Sequence, residues 1–298
     1  MGENCSYSFS HAYIPIPLLN WLNNGKDVQE RGGSSNASSK KKGRVIKTNN
    51  DWVGVAEEFM KQDKGFESNM VIDKHNESVW NHVTPPECLP NPSILRFASN
   101  NSWVPVEEPL HADIDVTKAK VCEVGPGIAF ANHLLKRDPE VGVIGLVPCA
   151  IGGTTLNEWL PAAKAYYNQM LVRTYGAMRA SNNGGQIRAL LWYQGESEAK
   201  GKDYPSPFAS NLEIFFNSVR HDFGLPALPI IQVALPSATD DSYVKDIRKF
   251  QLELKLPMLS TVDANGSQLQ NDSVHLTSTA QVHLGIAMAN AFLQISHS

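Results

Sequence analysis

The chain has 298 residues, 42% of them hydrophobic, which allows one large domain with a sizeable core plus additional segments. Its formal net charge is −4 at pH 7, without the basic stripe that nucleic-acid binding requires, so nucleic acid is excluded as the main partner. Four widely spaced cysteines, Cys5, Cys88, Cys122 and Cys149, form no Cys-x-x-Cys, which fits reduced thiols inside a cell and gives no zinc signature.

Read from the start, no stretch is long or apolar enough to span a bilayer. Residues 1–22 lack the basic start and continuous apolar block of a secretory leader, so an intracellular protein is expected. Met1-Gly2-Glu3-Asn4-Cys5-Ser6 matches the loose myristoylation pattern at Gly2, with Cys5 available for a second acyl chain. Glu3 beside the acceptor is unfavourable, and so short a pattern often matches by chance. Residues 23–43 run through Gly32-Gly33-Ser34-Ser35 to Lys40-Lys41-Lys42 with no apolar periodicity. They read as a disordered, solvated linker rather than a nuclear address. The expected division is a low-order tail over 1–48 and one globular domain over 49–298.

Trp52 to Lys64 is rich in charge, with Val55, Phe59 and Met60 at helical spacing, which predicts a helix there and no strand. Beyond residue 120 the pattern alternates. Gly142–Val147, Ala189–Tyr193, Pro229–Ala234 and Met258–Val262 are short apolar runs that read as strands. Gly127–Arg137, Ala162–Arg179 and Phe208–Phe223 read as helices. A last helix starts near Ser278, with Ser278 and Gln281 as a capping box and Val282, Ile286, Ala289 and Phe292 at helical spacing. Apolar strands spaced by helices predict an α/β fold with a mostly parallel sheet covered on both faces. Ligands in such a sheet sit at the carboxyl ends of the strands.

The stretches able to carry chemistry follow those strands. Asp272-Ser273-Val274-His275 puts an acid and a base three positions apart, just before the last helix. In a Ser-His-Asp hydrolase the carboxylate fixes the imidazole tautomer and the free ring nitrogen faces the nucleophile. Taken alone, the pair reads as a helix-capping Asp and a surface His. Gly152-Gly153-Thr154-Thr155 follows the 142–147 run, and lacking a following Lys it is a tight turn rather than a nucleotide loop. Gln194-Gly195-Glu196-Ser197 follows the 189–193 run, and the Gln194 amide can donate to an oxyanion. In isolation that stretch is a polar turn. Gly125-Pro126-Gly127 opens a helix whose N–H groups can face an anion. His111 reads as structural.

Together with Ser68-Asn69-Met70, these stretches resemble the SGNH-hydrolase superfamily, specifically plant carbohydrate esterases of the sialic-acid-specific acetylesterase type. Trp192-Tyr193-Gln194-Gly195-Glu196-Ser197 and Asp272 to Thr277 are the specific pieces, and the likeness runs from about residue 68 to residue 296. The resemblance implies a three-layer α/β/α hydrolase that removes acetyl groups from sugar hydroxyls without metal or cofactor. Its substrate would be an acetylated carbohydrate or another small ester. Ser68 would be the nucleophile, His275 the general base and Asp272 its orienting carboxylate. The oxyanion site would comprise the Ser68 N–H, a glycine of Gly125–Gly127 and the Gln194 amide, with Gly153, Gly195 and Glu196 on the binding side. Two alternatives remain: a pseudo-esterase that binds a glycan or protein partner, and a lipase or thioesterase on the same fold.

The departure is at the front. The family reads apolar strand, then Gly-Gln-Ser-Asn-Met, whereas here Phe66 and Glu67 precede Ser68. The first strand is expected to be missing or replaced, and the esterase therefore weak or inactive. Glu67 also adds negative charge where an oxyanion would develop. Residues 1–43 are expected to contribute little to the fold, and limited proteolysis to cut first there. Protection of that stretch would show that the tail is packed against the domain.

Overall fold

Short runs of Val, Ile and Leu can be buried on both faces of a sheet only if helices cover them, and that requirement sets the architecture. The structure is a computed structural model and describes residues 9–10, 51–56, 70–72, 78–80, 83–115, 123–181, 184–199, 207–237, 242–270 and 273–296. The linker 23–43, Ser68 and Asp272 lie outside the described residues. In chain order the strands are β1 (Phe9–Ser10), β2 (Asp51–Ala56), β3 (Met70–Ile72), β4 (Ser78–Trp80), β5 (Ile94–Phe97) and β6 (Trp103–Pro105). There follow β7 (Val143–Pro148), β8 (Ile151–Gly152), β9 (Gln186–Ile187), β10 (Leu190–Tyr193), β11 (Ile230–Ala234) and β12 (Leu259–Asp263). The helices are α1 (Pro126–Arg137), α2 (Ala165–Arg179), α3 (Glu196–Ala199), α4 (Phe208–Asp222), α5 (Ser242–Glu253) and α6 (Ser278–Ser296).

The main sheet has the order β6-β5-β7-β2-β9, and β10-β11-β12 forms a second ladder. Arg188 and Ala189 alone separate β9 from β10, so one segment joins the two ladders. Every neighbouring pair is parallel except the edge pair β5 and β6. This is the α/β arrangement expected from the sequence. Among the described residues no helix is long and apolar enough to cross a membrane.

The first strand is a correction. β2 is present, parallel to β7 from Asp51↔Val143 to Ala56↔Pro148 and parallel to β9 at Trp52↔Gln186 and Val53↔Ile187. The expected helix from Trp52 is overturned over 51–56. A parallel strand with helices on both faces needs no polar alternation, so the short run Trp52-Val53-Gly54-Val55-Ala56 suffices. The helical spacing of Val55, Phe59 and Met60 straddled the end of this strand, an ambiguity to which short apolar runs are prone. The remainder of the segment, 57–69, lies outside the described residues. The tail, expected to contribute little to the fold, is paired with the domain at its described residues, where β1 runs antiparallel to β8 through Phe9↔Gly152 and Ser10↔Ile151.

Aromatic packing fixes the helices on the sheet. Trp192 of β10 is fully buried, with its ring centroid 4.4 Å from Phe215, 5.9 Å from Trp159 and 6.2 Å from Phe216. Two arginines staple the carboxyl edge. Arg173 of α2 donates to Pro148 O at 2.9 Å and to Phe97 O at 2.8 Å, joining the ends of β7 and β5. Arg248 of α5 donates to Leu235 O and, at 2.8 Å, to Asp263, joining the ends of β11 and β12.

α1 and α6 touch backbone to backbone. A Cβ on Gly285 would stand 2.3 Å from Pro126 O and 2.9 Å from Phe130 N. Further along, Asn290 meets His133 at 3.1 Å. The two helices therefore run in the same direction, with their N-termini toward the same end and that of α6 about two turns further out. That end carries Gly125 on one helix and Thr277, which follows His275, on the other. Gly285→Ala is expected to destabilise the fold by about 1–3 kcal/mol through overpacking, despite a helix-propensity gain of up to about 1 kcal/mol. A thermal midpoint equal to wild type would show that α6 does not depend on this close approach.

Candidate active site

The loop after β12 is built as a pinned hairpin. Leu269 and Leu276 form an antiparallel bridge. Gln270 N donates to His275 O at 2.7 Å, Gln270 Nε2 to Leu276 O at 3.1 Å and Thr277 N to Gln268 O at 3.0 Å. Ser273 turns the chain with φ 59°, a left-handed conformation, and its N–H donates to Gln270 O at 2.9 Å. His275 is thus held on backbone that has little freedom, with its side chain buried. Thr277 caps α6, its hydroxyl accepting from Ala280 N at 3.2 Å. This corrects the capping box expected of Ser278 and Gln281. Thr277 precedes Ser278 by one position and is itself buried, and Gln281 is buried with neither side-chain amide atom bonded.

At the N-terminal end of α1, Gly125 is the N-cap and Pro126 the first residue, with Gly127 buried behind them. Pro at that position loses nothing, because its missing N–H has no partner within the helix. The Gly125 N–H points at Glu108 Oε1 at 3.4 Å, and Leu110 N donates to Glu108 Oε2 at 2.9 Å. The Cys88 thiol donates to Gly125 O at 4.0 Å. Burial pushes the Glu108 carboxyl up from 4.5 to about 8, against the opposing N–H bonds from Leu110 and Gly125. Pro126 has no N–H, so the other amide of the turn is that of Gly127.

After β7, Gly153 takes φ 75°, the region a glycine enters without steric cost. Gly152 N donates to the buried Asp115 at 2.8 Å. The Glu158 carboxylate accepts from Thr155 N at 2.7 Å and from its hydroxyl at 3.0 Å. Asp115 and Glu158, both outside the Gly-Gly-Thr-Thr stretch, thus hold its two ends.

After β10, Gly195 has φ 137°, and a Cβ there would stand 2.8 Å from Ile247. Gln194 is fully buried. Its amide nitrogen donates to one oxygen of Glu198, and Leu156 N donates to the other. Its backbone carbonyl accepts from Gln251 Nε2 at 2.7 Å, and Gln251 Oε1 accepts from Leu235 N at 2.9 Å. Gln232 of β11 continues the chain of amides, donating to Gln251 O at 2.6 Å. Burial lifts the Glu198 carboxyl above its ordinary range and the Glu158 charge adds to this, while the N–H groups of Leu156 and Gln194 work against it. Glu196 begins α3 and is partly buried.

His275 and Gly125–Gly127 are brought to one end by α1 and α6, while Gln194, Gly195 and Glu196 join the 152–156 loop through Glu198. Glu198 and Glu108 were not singled out from the sequence. Glu198 was signalled by its position four residues after Gln194, one helical turn away. Glu108 sits beside Pro109 in a stretch with no periodicity to read. His111, expected to be structural, is buried, and its carbonyl accepts from Ile114 N at 2.9 Å. Among the described residues no three His, Cys, Asp or Glu side chains are grouped so as to hold a metal.

A family model described as carbohydrate esterase, sialic acid-specific acetylesterase, matches residues 66–294. A probable carbohydrate esterase of Arabidopsis thaliana, At4g34215, is 45% identical over 223 residues, which is 74% of this chain and 83% of that protein. The X-ray structure of the At4g34215 protein superposes with a TM-score of 0.71 at 41% identity, covering 82% of this chain and 98% of that one.

Glu108 makes the fold sensitive to pH. A carboxyl whose folded value is raised stabilises the fold in its neutral form, so this contribution is complete below 4.5 and lost as pH rises through about 8. Across that window the thermal midpoint of wild type is expected to fall more steeply than that of Glu108→Gln. Parallel curves for the two proteins would show that Glu108 titrates as an ordinary surface carboxylate.

Proposed function

Because this chain belongs to the carbohydrate esterase family of the sialic acid-specific acetylesterase type, we propose that it hydrolyses acetyl esters on sugar hydroxyls. Ser68 serves as nucleophile, His275 as general base and Asp272 as the carboxylate that orients the imidazole. The Ser68 oxygen attacks the acetyl carbonyl while its proton passes to His275, and a tetrahedral oxyanion forms. Collapse releases the sugar hydroxyl, protonated by the imidazolium, and leaves an acetyl-enzyme. Water attacks next, again with His275 as base, and acetate leaves. The oxyanion is met by the Ser68 and Gly127 N–H groups and the Gln194 amide. The observation that carries this reading is the buried His275 on its pinned hairpin, at the same end as the Gly125–Gly127 turn.

The expectation of a weak enzyme rested first on an absent strand, and β2 removes that ground. A different observation keeps a pseudo-esterase as second reading. Ser68 stands twelve positions beyond Ala56, the last described residue of β2, and Phe66 and Glu67 precede it where the family pattern has Gly-Gln. Misplacement of a reacting group by about 1 Å can cost on the order of 10²-fold.

Acetate release from acetylated xylan separates the readings. Wild type is expected to turn over, and Ser68→Ala to lose at least about 10³-fold. No acetate above the Ser68→Ala level would favour the binding protein. Activity that rises from acetyl to octanoyl esters would favour a lipase.

A further inference from the structure

Gln194 offers two amide hydrogens and one oxygen. One hydrogen goes to Glu198, and Oε1, although buried, has no hydrogen-bond partner among the described residues. An amide held this way has two possible orientations, related by exchange of its nitrogen and oxygen. An ionised carboxylate only accepts hydrogen bonds, so it rejects the form that would set Oε1 against it. Glu198 therefore selects the orientation of Gln194. Its second oxygen is occupied by Leu156 N, which ties the carboxylate to the loop after β7. A single carboxylate thus ties the segment after β7 to the turn leaving β10.

We infer that Glu198 is a positioning residue for the ester hydrolysis, fixing the Gln194 amide so that its second hydrogen is available to the oxyanion. The inference rests on the reading of Gln194 as an oxyanion donor. Glu198 does not touch the reacting atoms. It acts through Gln194, and the preceding backbone supports this, because Gly195 leaves space for Gln251 to hold the Gln194 carbonyl. A glutamine at 198 has one accepting oxygen and cannot serve both Leu156 N and the Gln194 nitrogen. The Gln194 amide is then free to reverse.

The test is a double-mutant cycle in the full chain with 4-nitrophenyl acetate. Gln194→Ala is expected to lower kcat by about 10²-fold, as for loss of one oxyanion donor. Glu198→Gln is expected to lower kcat by about tenfold with little change in KM. In the Gln194→Ala background, Glu198→Gln should change kcat less than about twofold, because the residue it acts through is gone. Glu198→Asp, one methylene shorter, should reproduce this pattern. Losses that multiply in the double variant would make Glu198 a structural residue only and overturn the inference. An unchanged rate in Gln194→Ala would instead remove the donor itself, and so identify the failure of the underlying reading. A readout independent of turnover is the Gln194 side-chain amide in a glutamine-labelled NMR spectrum. One slowly exchanging, downfield proton that is lost in Glu198→Gln is expected. A rapidly exchanging pair unaffected by that change would contradict the clamp.

Discussion

The placement of β2 between β7 and β9 is the constraint on which the remaining site depends. From β2 the chain travels to β5 and β7 on one side, then crosses to β9, β10, β11 and β12 on the other. The segments leaving β7 and β10 therefore come from the two arms of the topology, and Glu198 ties them together. Open parallel sheets bind ligands at such a reversal, outside the carboxyl ends of the strands. β2 is paired on both sides, along its whole length with β7 and at Trp52 and Val53 with β9, and an unpaired strand edge would be costly and prone to aggregation.

Two kinds of fastening hold this edge. Arg173 and Arg248 bond backbone carbonyls at the strand ends, a use suited to a guanidinium with several donors in fixed directions. Inside them runs a chain of buried amides and one carboxylate, from Gln232 through Gln251 and Gln194 to Glu198 and Leu156. Such a network is stabilising only when its members find partners, and each unpaired buried atom is costly. Gln194 Oε1, without a hydrogen-bond partner among the described residues, is thus a local expense in a place where the sequence places chemistry. On the opposite side, Gly285 lets α6 descend onto α1, so the histidine hairpin and the glycine turn lie toward the same end.

Much of this was legible from the residues. The runs at 142–147, 189–193, 229–234 and 258–262 each became a strand within a few residues of its expected bounds, because short β-branched runs between helical patterns have few alternatives. The motifs after them could be placed at one edge for the same reason. β2 was not legible, since its apolar run is brief and is followed directly by Glu57 and Glu58, which extend a helical pattern beyond the strand. The cap at Thr277 was missed by one position because Ser278 offers the same hydroxyl chemistry. Glu198 and Glu108 were missed for another reason. Glu108 depends on Gly125, distant in sequence, and the four-residue spacing of Gln194 and Glu198 does not report the second partner of Glu198, Leu156.

The central claim is that Ser68 and His275 act as one unit, although Phe66 and Glu67 precede the serine. A fluorophosphonate probe addresses it directly, since such probes react with serines activated by a neighbouring base. The account predicts rapid labelling at Ser68, abolished in both Ser68→Ala and His275→Ala. Folded wild-type protein that stays unlabelled, or labelling that persists in His275→Ala, would contradict it.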